Sequence, residues 1–349
     1  MAVRYFQPLE ERKQSGGGVA SRIEPVRLCH TLEDIISVEN LLAAWREFLP
    51  GKRKKADVQA FGLRLMDNIL ALHRELASGF YKHGPYTHFR ISGPKPRDIH
   101  KATVRDRLVH HAIYRILYPF FSRTFVADSY SCQLGKGTYA AMHRFQIFGR
   151  RVSNNHTRTC WVLKGDIRKF FASIDQSILL RLLAERIRDE RIVRLLREII
   201  GSFSWSPGIG LPLGNLTSQL FVNVYMTPFD QFVKHRLRAK HYVRYADDFA
   251  VLSDKRAWLE SLIPKLQDYL QANPHLHLHP RKVSIQTLAS GVDFLGWVHF
   301  PHHLVLRTAT KQRMFRRLAD HPEEATVQSY MGMLGHGNAT KLEQRITAL

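Results

Sequence analysis

Cysteine is nearly absent from this chain. Only Cys29, Cys132 and Cys160 occur, and no two of them form a CxxC pair. That argues against a disulfide scaffold or a cysteine-ligated zinc site and fits a reducing compartment. Acidic side chains are also few: 30 Asp and Glu stand against 52 Lys and Arg, a formal net charge of +22. The excess is spread along the chain. A globular protein this basic most often binds nucleic acid, with an anionic membrane surface as the weaker alternative. Long apolar runs are missing too. "MAVRYFQPLE" has no apolar leader core, and no stretch is long enough to span a bilayer, so a soluble cytoplasmic protein with no membrane partner is expected. There is no internal repeat and no low-complexity segment. What is present is an ordinary 44% apolar content over 349 residues, which excludes wholesale disorder and suffices for two or three subdomains around a sizeable core.

The first thirty residues, with "SGGGVASR", read as a flexible tail or linker. "TLEDIISVENLLAAWREFL" opens on a Thr31 cap and repeats apolar residues at helical spacing. After the solvated basic run "GKRKKAD", "VQAFGLRLMDNILALHRELASGF" reads as a second amphipathic helix. "GPYTHFRISGPKPRDIHKA" reads as strands and turns. Further helices are expected over "VRDRLVHHAIYRILYPFF", "IDQSILLRLLAERI", "NLTSQLFVNVYMTPFDQFVKHRLRA" and "WLESLIPKLQDYLQAN". "CWVLKGDI" is a short strand ending in Asp166, "VDFLGWVHF" a strand or hairpin, and a helical tail follows. The class is α+β, a small antiparallel sheet carrying helices on one face.

Chemistry concentrates in "HYVRYADDFAVL". Removing Asp247 and Asp248 would leave a good buried strand pair, and neighbouring carboxylates repel. A surface hairpin could carry Asp-Asp with no chemistry at all. Asp166, closing a second apolar strand, favours carboxylates that converge at one sheet edge. Hard oxygen ligands on rigid strands suit Mg²⁺, and two such ions support phosphoryl transfer. Asp175 and Asp254 precede helical stretches and read as N-caps. His275, His277 and His279 on one strand face could hold a metal, although no further ligand lies nearby. His110-His111 and His302-His303 read as surface or nucleic-acid-facing.

These segments resemble the reverse transcriptase family. "VRYADDFAVL" resembles its catalytic hairpin and "LKGDIRKFFASID" the strand carrying its first metal-binding Asp. "PKPRDIHKATVRDRLVHHAI", "SYSCQLGKGTYAAM", "GIGLPLGNLTSQLFVNVY", "LHLHPRKVSIQ" and "VDFLGW" resemble its other motifs in the family's order, from Pro94 to Trp297. The resemblance implies a right-hand polymerase: a flexible segment 1–30, a helical extension 31–93, fingers 94–160, a palm 161–300 with part of the fingers inserted, and a short helical thumb 301–349. It implies Asp166, Asp247 and Asp248 as metal carboxylates, with Ile167 beside them and Asp247 the nearer ligand of the adjacent pair. The implied cofactor is two Mg²⁺ ions, with Mn²⁺ as the substitute. Phe171 falls where the family keeps an aromatic that clashes with a ribose 2′-hydroxyl, or it packs beside Phe170 in the core. Arg97, with Lys95, falls where the fingers grip the triphosphate, or is a solvated loop charge. Lys282 matches a lysine proposed to act on the departing pyrophosphate, or is a surface charge. Ile167, Phe170, Leu213, Gly214 and Gln219 complete the implied nucleotide site.

Leu213 precedes Gly214 where most of the family has Gln, and Ser218-Gln219 ends the motif where most have Ser-Pro. That pattern resembles the polymerases of diversity-generating retroelements, which copy a template RNA into cDNA with errors at adenines (mutagenic retrohoming). "SYMGMLGHGN" resembles their short thumb. Gln could hydrogen-bond near the template nucleotide, whereas Leu offers only shape, which would weaken discrimination. Leu213 could also merely pack. The implied partners are template RNA, a DNA or RNA primer, the cDNA, deoxynucleotides and a small, basic, oligomeric accessory protein. The alternatives are a defence-associated, retron-like or group II intron-like polymerase, or a non-catalytic RNA-binding protein on the same fold. Against a full intron protein, no endonuclease or maturase-sized extension is expected after the thumb.

Overall fold

The computed structural model describes residues 26–91 and 96–347. The glycine-rich stretch and Lys95 lie outside the described residues. Of the expected flexible segment 1–30, only residues 26–30 are described, and Leu28 among them is docked. Leu28 is 1% exposed, and its N–H donates to the Arg186 carbonyl at 2.7 Å.

Each of the two long helices expected near the N-terminus is broken in two. The first is α1 (Leu32–Ile36) and α2 (Val38–Phe48), and the second is α3 (Ala56–Leu63) and α4 (Leu65–Ala77). At the first break Ser37 is extended, with ψ 144°, and its hydroxyl accepts the Asn40 N–H, so a serine at mid-pattern has become a cap. A hairpin follows, β1 (Thr87–Ile91) and β2 (Arg97–Lys101); the boundary expected at 93/94 lies outside the described residues. Helix α5 (Val104–Phe121) starts where Thr103 accepts the Asp106 N–H. Helix α6 (Thr138–Val152) was not anticipated.

Strand β3 (Trp161–Asp166) leads to α7 (Gln176–Ala184), α8 (Glu190–Gly201) and α9 (Leu216–Gln231). The expected Asp175 cap is present: its carboxylate accepts the Ser177 and Ile178 N–H groups. Then come β4 (Tyr242–Tyr245), β5 (Asp248–Ser253), α10 (Arg256–Ala272) and β6 (Ser284–Thr287). Asp254 does not cap α10. The N-cap is Lys255, and the Ser253 hydroxyl takes the Lys255 N–H instead. The chain closes with β7 (Val292–Phe294), β8 (Trp297–His299), β9 (Leu304–Leu306), α11 (Thr308–Asp320), α12 (Glu324–Leu334) and α13 (Thr340–Thr347).

The central sheet has the order β4-β5-β3-β6, antiparallel throughout. Helices were expected on one face only, but both faces are covered. Phe249 and Val251 belong to the main core shared with α9 and α10. Val162, Ala250 and Leu252 face the other way, against Phe145 and Phe148 of α6. The reason lies in β3 and β5, which are apolar at consecutive positions and would otherwise leave one face wet.

Candidate active site

Strand pairing brings two of the three aspartates together. Asp166 at the end of β3 lies directly opposite Asp248 at the start of β5. Such opposed residues have Cβ atoms roughly 4.5–5.5 Å apart. The hairpin closes tightly, because Tyr245 pairs with Asp248 across the two-residue turn Ala246-Asp247. Ala246 has φ +53°, a left-handed conformation costly for a residue with a Cβ. Arg244 holds it there. Its guanidinium is 1% exposed and donates to the Ala246 carbonyl at 3.0 Å and to both oxygens of Asp230 at 2.7 and 2.6 Å. Tyr242 Oη donates to the same Asp230 carboxylate at 2.6 Å. On the other side, the Ile167 N–H donates to the Asp247 carbonyl at 3.1 Å. The turn is therefore fixed from α9 and from β3.

The site face is electrostatically tense. Asp166 is 4% exposed, and Lys282 Nζ donates to its Oδ2 at 2.7 Å. Lys282 arrives because the chain after α10 runs alongside the end of β3: the His279 N–H donates to the Asp166 carbonyl at 2.7 Å and the Arg168 N–H to the His277 carbonyl at 2.9 Å. Burial pushes the Asp248 carboxyl up to about 6, with Asp247 and Asp166 adding to the rise and Lys164 opposing it. Lys164 stands two residues before Asp166 on the same face. Its Nζ donates to the Asp293 carbonyl at 2.7 Å, which ties β3 to the β7–β8 hairpin. Burial lowers its own pKa.

Among the described residues, no three His, Cys, Asp or Glu side chains form a ready-made metal cage. Mg²⁺ does not need one, since it takes one or two carboxylates and completes its shell with waters and phosphates. Two opposed carboxylates, one of them held above its usual range, form a donor set whose charge a divalent cation would relieve. The residues fit the ion.

The described sequence-predicted nucleotide residues spread over three segments: the stretch after β3, the loop into α9, and β2. Ile167 and Phe170 are buried and Phe171 is half-buried; the two phenyl rings meet edge-on at 5.7 Å. The Phe171 carbonyl accepts the Leu211 N–H at 2.8 Å, which joins this segment to the loop carrying Leu213. Leu213 is half-buried and Gly214 exposed. The Leu213 carbonyl accepts the His100 N–H at 3.2 Å, bringing β2 onto the loop. Gly214 has φ +105°, and an added Cβ would stand 3.1 Å from Ile99 Cγ2, so close approach and backbone both call for glycine. Gln219 is half-buried in the first turn of α9. Arg97 is exposed on β2.

Several expectations fail. His275 has φ +51° and bonds Asp175 at 3.1 Å, outside any strand, and His275, His277 and His279 build no metal group. His110 is not on the surface. It is 1% exposed, stacked on His83 at 5.3 Å, and burial lowers its pKa to about 3. Sequence reasoning also missed Arg244, Asp230 and Lys164. The available signal was a cation inside each of two otherwise apolar strands, which demands a buried partner.

A family model described as reverse transcriptase (RNA-dependent DNA polymerase) matches residues 92–299. Among curated relatives, Protein YkfC of Escherichia coli is 24% identical over 75% of this chain and 77% of its own length. The group II intron-encoded protein LtrA of Lactococcus lactis is 21% identical over 64% of this chain. Nuclear intron maturase 4 of Arabidopsis thaliana is 26% identical over 49%. The chain spans only 38% and 21% of those last two proteins. An apo telomerase of Candida tropicalis, truncated from its C-terminal domain, superposes with a TM-score of 0.50 at 12% identity over 65% of this chain and 55% of the telomerase. That likeness is consistent with a right-hand polymerase fold.

Proposed function

The chain belongs to the reverse transcriptase (RNA-dependent DNA polymerase) family, and from that premise we propose that it extends a primer on template RNA by metal-assisted nucleotidyl transfer. The single observation that carries this reading is Asp166 opposite Asp248 across β3 and β5, with Asp247 in the adjoining turn. Asp166, Asp247, Asp248 and the Ile167 carbonyl would hold two Mg²⁺ ions. When bound, such ions make a primer hydroxyl a better nucleophile and stabilise the leaving phosphate. The protein's own groups do the rest. Arg97 offers a guanidinium to the triphosphate, Phe171 blocks a 2′-hydroxyl, and Gly214 lets backbone approach the new base pair. Lys282 donates to Asp166 at 2.7 Å, and in this reading its ammonium would neutralise the departing pyrophosphate. The fingers, palm and thumb would follow the division 94–160, 161–300 and 301–349.

We assign the finer class on Leu213. A loop with leucine where Gln is usual supports error-prone copying for a diversity-generating retroelement, with a small basic accessory protein as partner. The relatives named as intron-encoded proteins and maturases favour a second reading, a group II intron-like polymerase. Flanking DNA with a template/variable repeat pair decides for the first. Primer extension on an RNA template with Mg²⁺ tests the shared core: the wild type should incorporate deoxynucleotides and Asp247→Ala should not. Misincorporation opposite adenine should fall in Leu213→Gln; an unchanged error rate removes Leu213 from fidelity.

A further inference from the structure

Outside the carboxylate site, a continuous row of rings crosses the molecule. His110 stacks on His83 at 5.3 Å and His83 on Tyr86 at 4.7 Å. Tyr86 meets Phe203 at 5.7 Å, Phe203 meets His100 at 4.5 Å, and His100 meets both His88 at 5.1 Å and Trp205 at 5.5 Å. The row begins buried and ends in water. Trp205 is 51% exposed, yet it is not loose. Its N–H donates to the Ile209 carbonyl at 2.9 Å. Gly210 has φ +105°, and a Cβ there would come within 2.7 Å of Trp205 Cδ1. A tight turn thus holds a large ring about half exposed.

The row also adjoins the copying site. Side chains alternate along β2, so Ile99 faces Gly214 while His100 faces the rings. The His100 N–H donates to the Leu213 carbonyl, and Asn215 Nδ2 donates to the His100 carbonyl at 3.3 Å. Arg90, exposed, shares the ring face of β1 with His88; Asp98 opposite it accepts from His88 Nε2 at 3.1 Å.

We propose that the rings of Phe203, His100, His88 and Trp205 form a stacking platform for the unpaired template RNA ahead of the copying site. Every base has a π-face, so the open faces of Trp205 and His88, with Phe203 and His100 tilted or edge-on beside them, grip a single strand without reading its sequence, while exposed cations such as Arg90 meet its phosphates. The hydrogen bonds of His100 to Leu213 and Asn215 put the platform beside the loop read as part of the nucleotide site. Burial lowers the His100 pKa, which leaves a neutral ring able to stack. The inference rests on the polymerase reading.

The test is the affinity of the full chain for primer–template duplexes whose 5′ template overhang grows from one to five nucleotides. Wild type should gain affinity with each added nucleotide. Trp205→Ala should lose about tenfold of that gain, the order expected for one stacked base, and Trp205→Phe should keep most of it. Trp205→Leu separates packing from stacking, because it keeps the apolar bulk without the π-face. Equal overhang gains in wild type and Trp205→Leu would overturn the proposal, as would a wild type indifferent to overhang length. Single-nucleotide incorporation on the one-nucleotide overhang reports the polymerase reading separately. Its failure with the Trp205-dependent gain intact would remove that reading and leave a single-strand binding platform.

Discussion

Asp248 and Arg244 make opposite demands on the same hairpin. Asp248 is raised from the ordinary carboxylate range to about 6, chiefly by burial, so the folded protein prefers it protonated. A raised carboxylate costs stability when charged: the cost is complete above about pH 6 and gone below about pH 4. A shift of about two units is worth at most about 3 kcal/mol, and water at a half-buried site reduces that. Asp248→Asn should therefore stabilise the metal-free protein by roughly 1–2 kcal/mol at pH 8. Urea unfolding with chelator should show that gain shrinking towards zero as pH falls from 6 to 4. Arg244 is different, for its charge is matched by Asp230. Arg244→Leu leaves that carboxylate buried with only the Tyr242 hydroxyl, a loss of about 3–5 kcal/mol. Arg244→Lys keeps the charge but not the fork that reaches Asp230 and Ala246 together. It should stay folded while primer extension drops roughly ten- to a hundredfold, as displaced reacting groups do. Unaltered extension in a folded Arg244→Lys would show that the turn keeps its shape without the clamp.

Among the elements, β3 carries a tight constraint at the site. Gly165 precedes Asp166, and a Cβ there would collide with the Phe249 ring in β5. Phe249 adjoins Asp248, so any shift that relieves the clash moves a site carboxylate. Gly165→Ala should cost about 1–3 kcal/mol, as overpacking does, and lower extension beyond what the stability loss explains. Thermal unfolding and extension rates on one preparation check both. The elements also show what was legible in the sequence. Helix α5 could be bounded because Thr103 marks its start, and β3 because Asp166 ends an apolar run. Helix α8 was open to detection: Asp189 caps it, and Ile192, Leu195, Leu196, Ile199 and Ile200 recur at helical spacing. The breaks at Ser37 and Arg64 were not, since apolar spacing runs on across both. At the site, the three aspartates stood out as charges in apolar strands. The hold of Lys282 on Asp166 could not be seen, because 116 residues separate them and only the path of the chain after α10 brings them together. The alternation of faces that seats α6 over Val162 and Leu252 is likewise a consequence of pairing and not of local pattern.

At the scale of the whole molecule, the dominant fact is the charge. An excess of 22 cations is far more than the phosphates of one nucleotide require. No helix among the described residues is long and apolar enough to cross a membrane. A charge of this size and sign matches an extended polyanion. Binding by phosphate contacts releases condensed counterions, and log affinity then falls linearly with log salt. If six to ten phosphates are neutralised, affinity for an RNA–DNA duplex should fall roughly 10³- to 10⁵-fold between 50 and 200 mM salt. The slope separates the two classes of residue. Arg90→Ala should flatten it by about one contact's worth, since it removes a cation proposed to meet a template phosphate. Asp247→Ala should abolish copying without removing a cation from a phosphate, so its slope should match the wild type. Fluorescence anisotropy of a labelled primer–template, titrated at four or five salt concentrations with EDTA present, measures all three. A slope near zero in the wild type would mean that the cations serve folding or solubility and not the nucleic acid. An altered slope in Asp247→Ala would mean that the carboxylate shapes binding as well as chemistry.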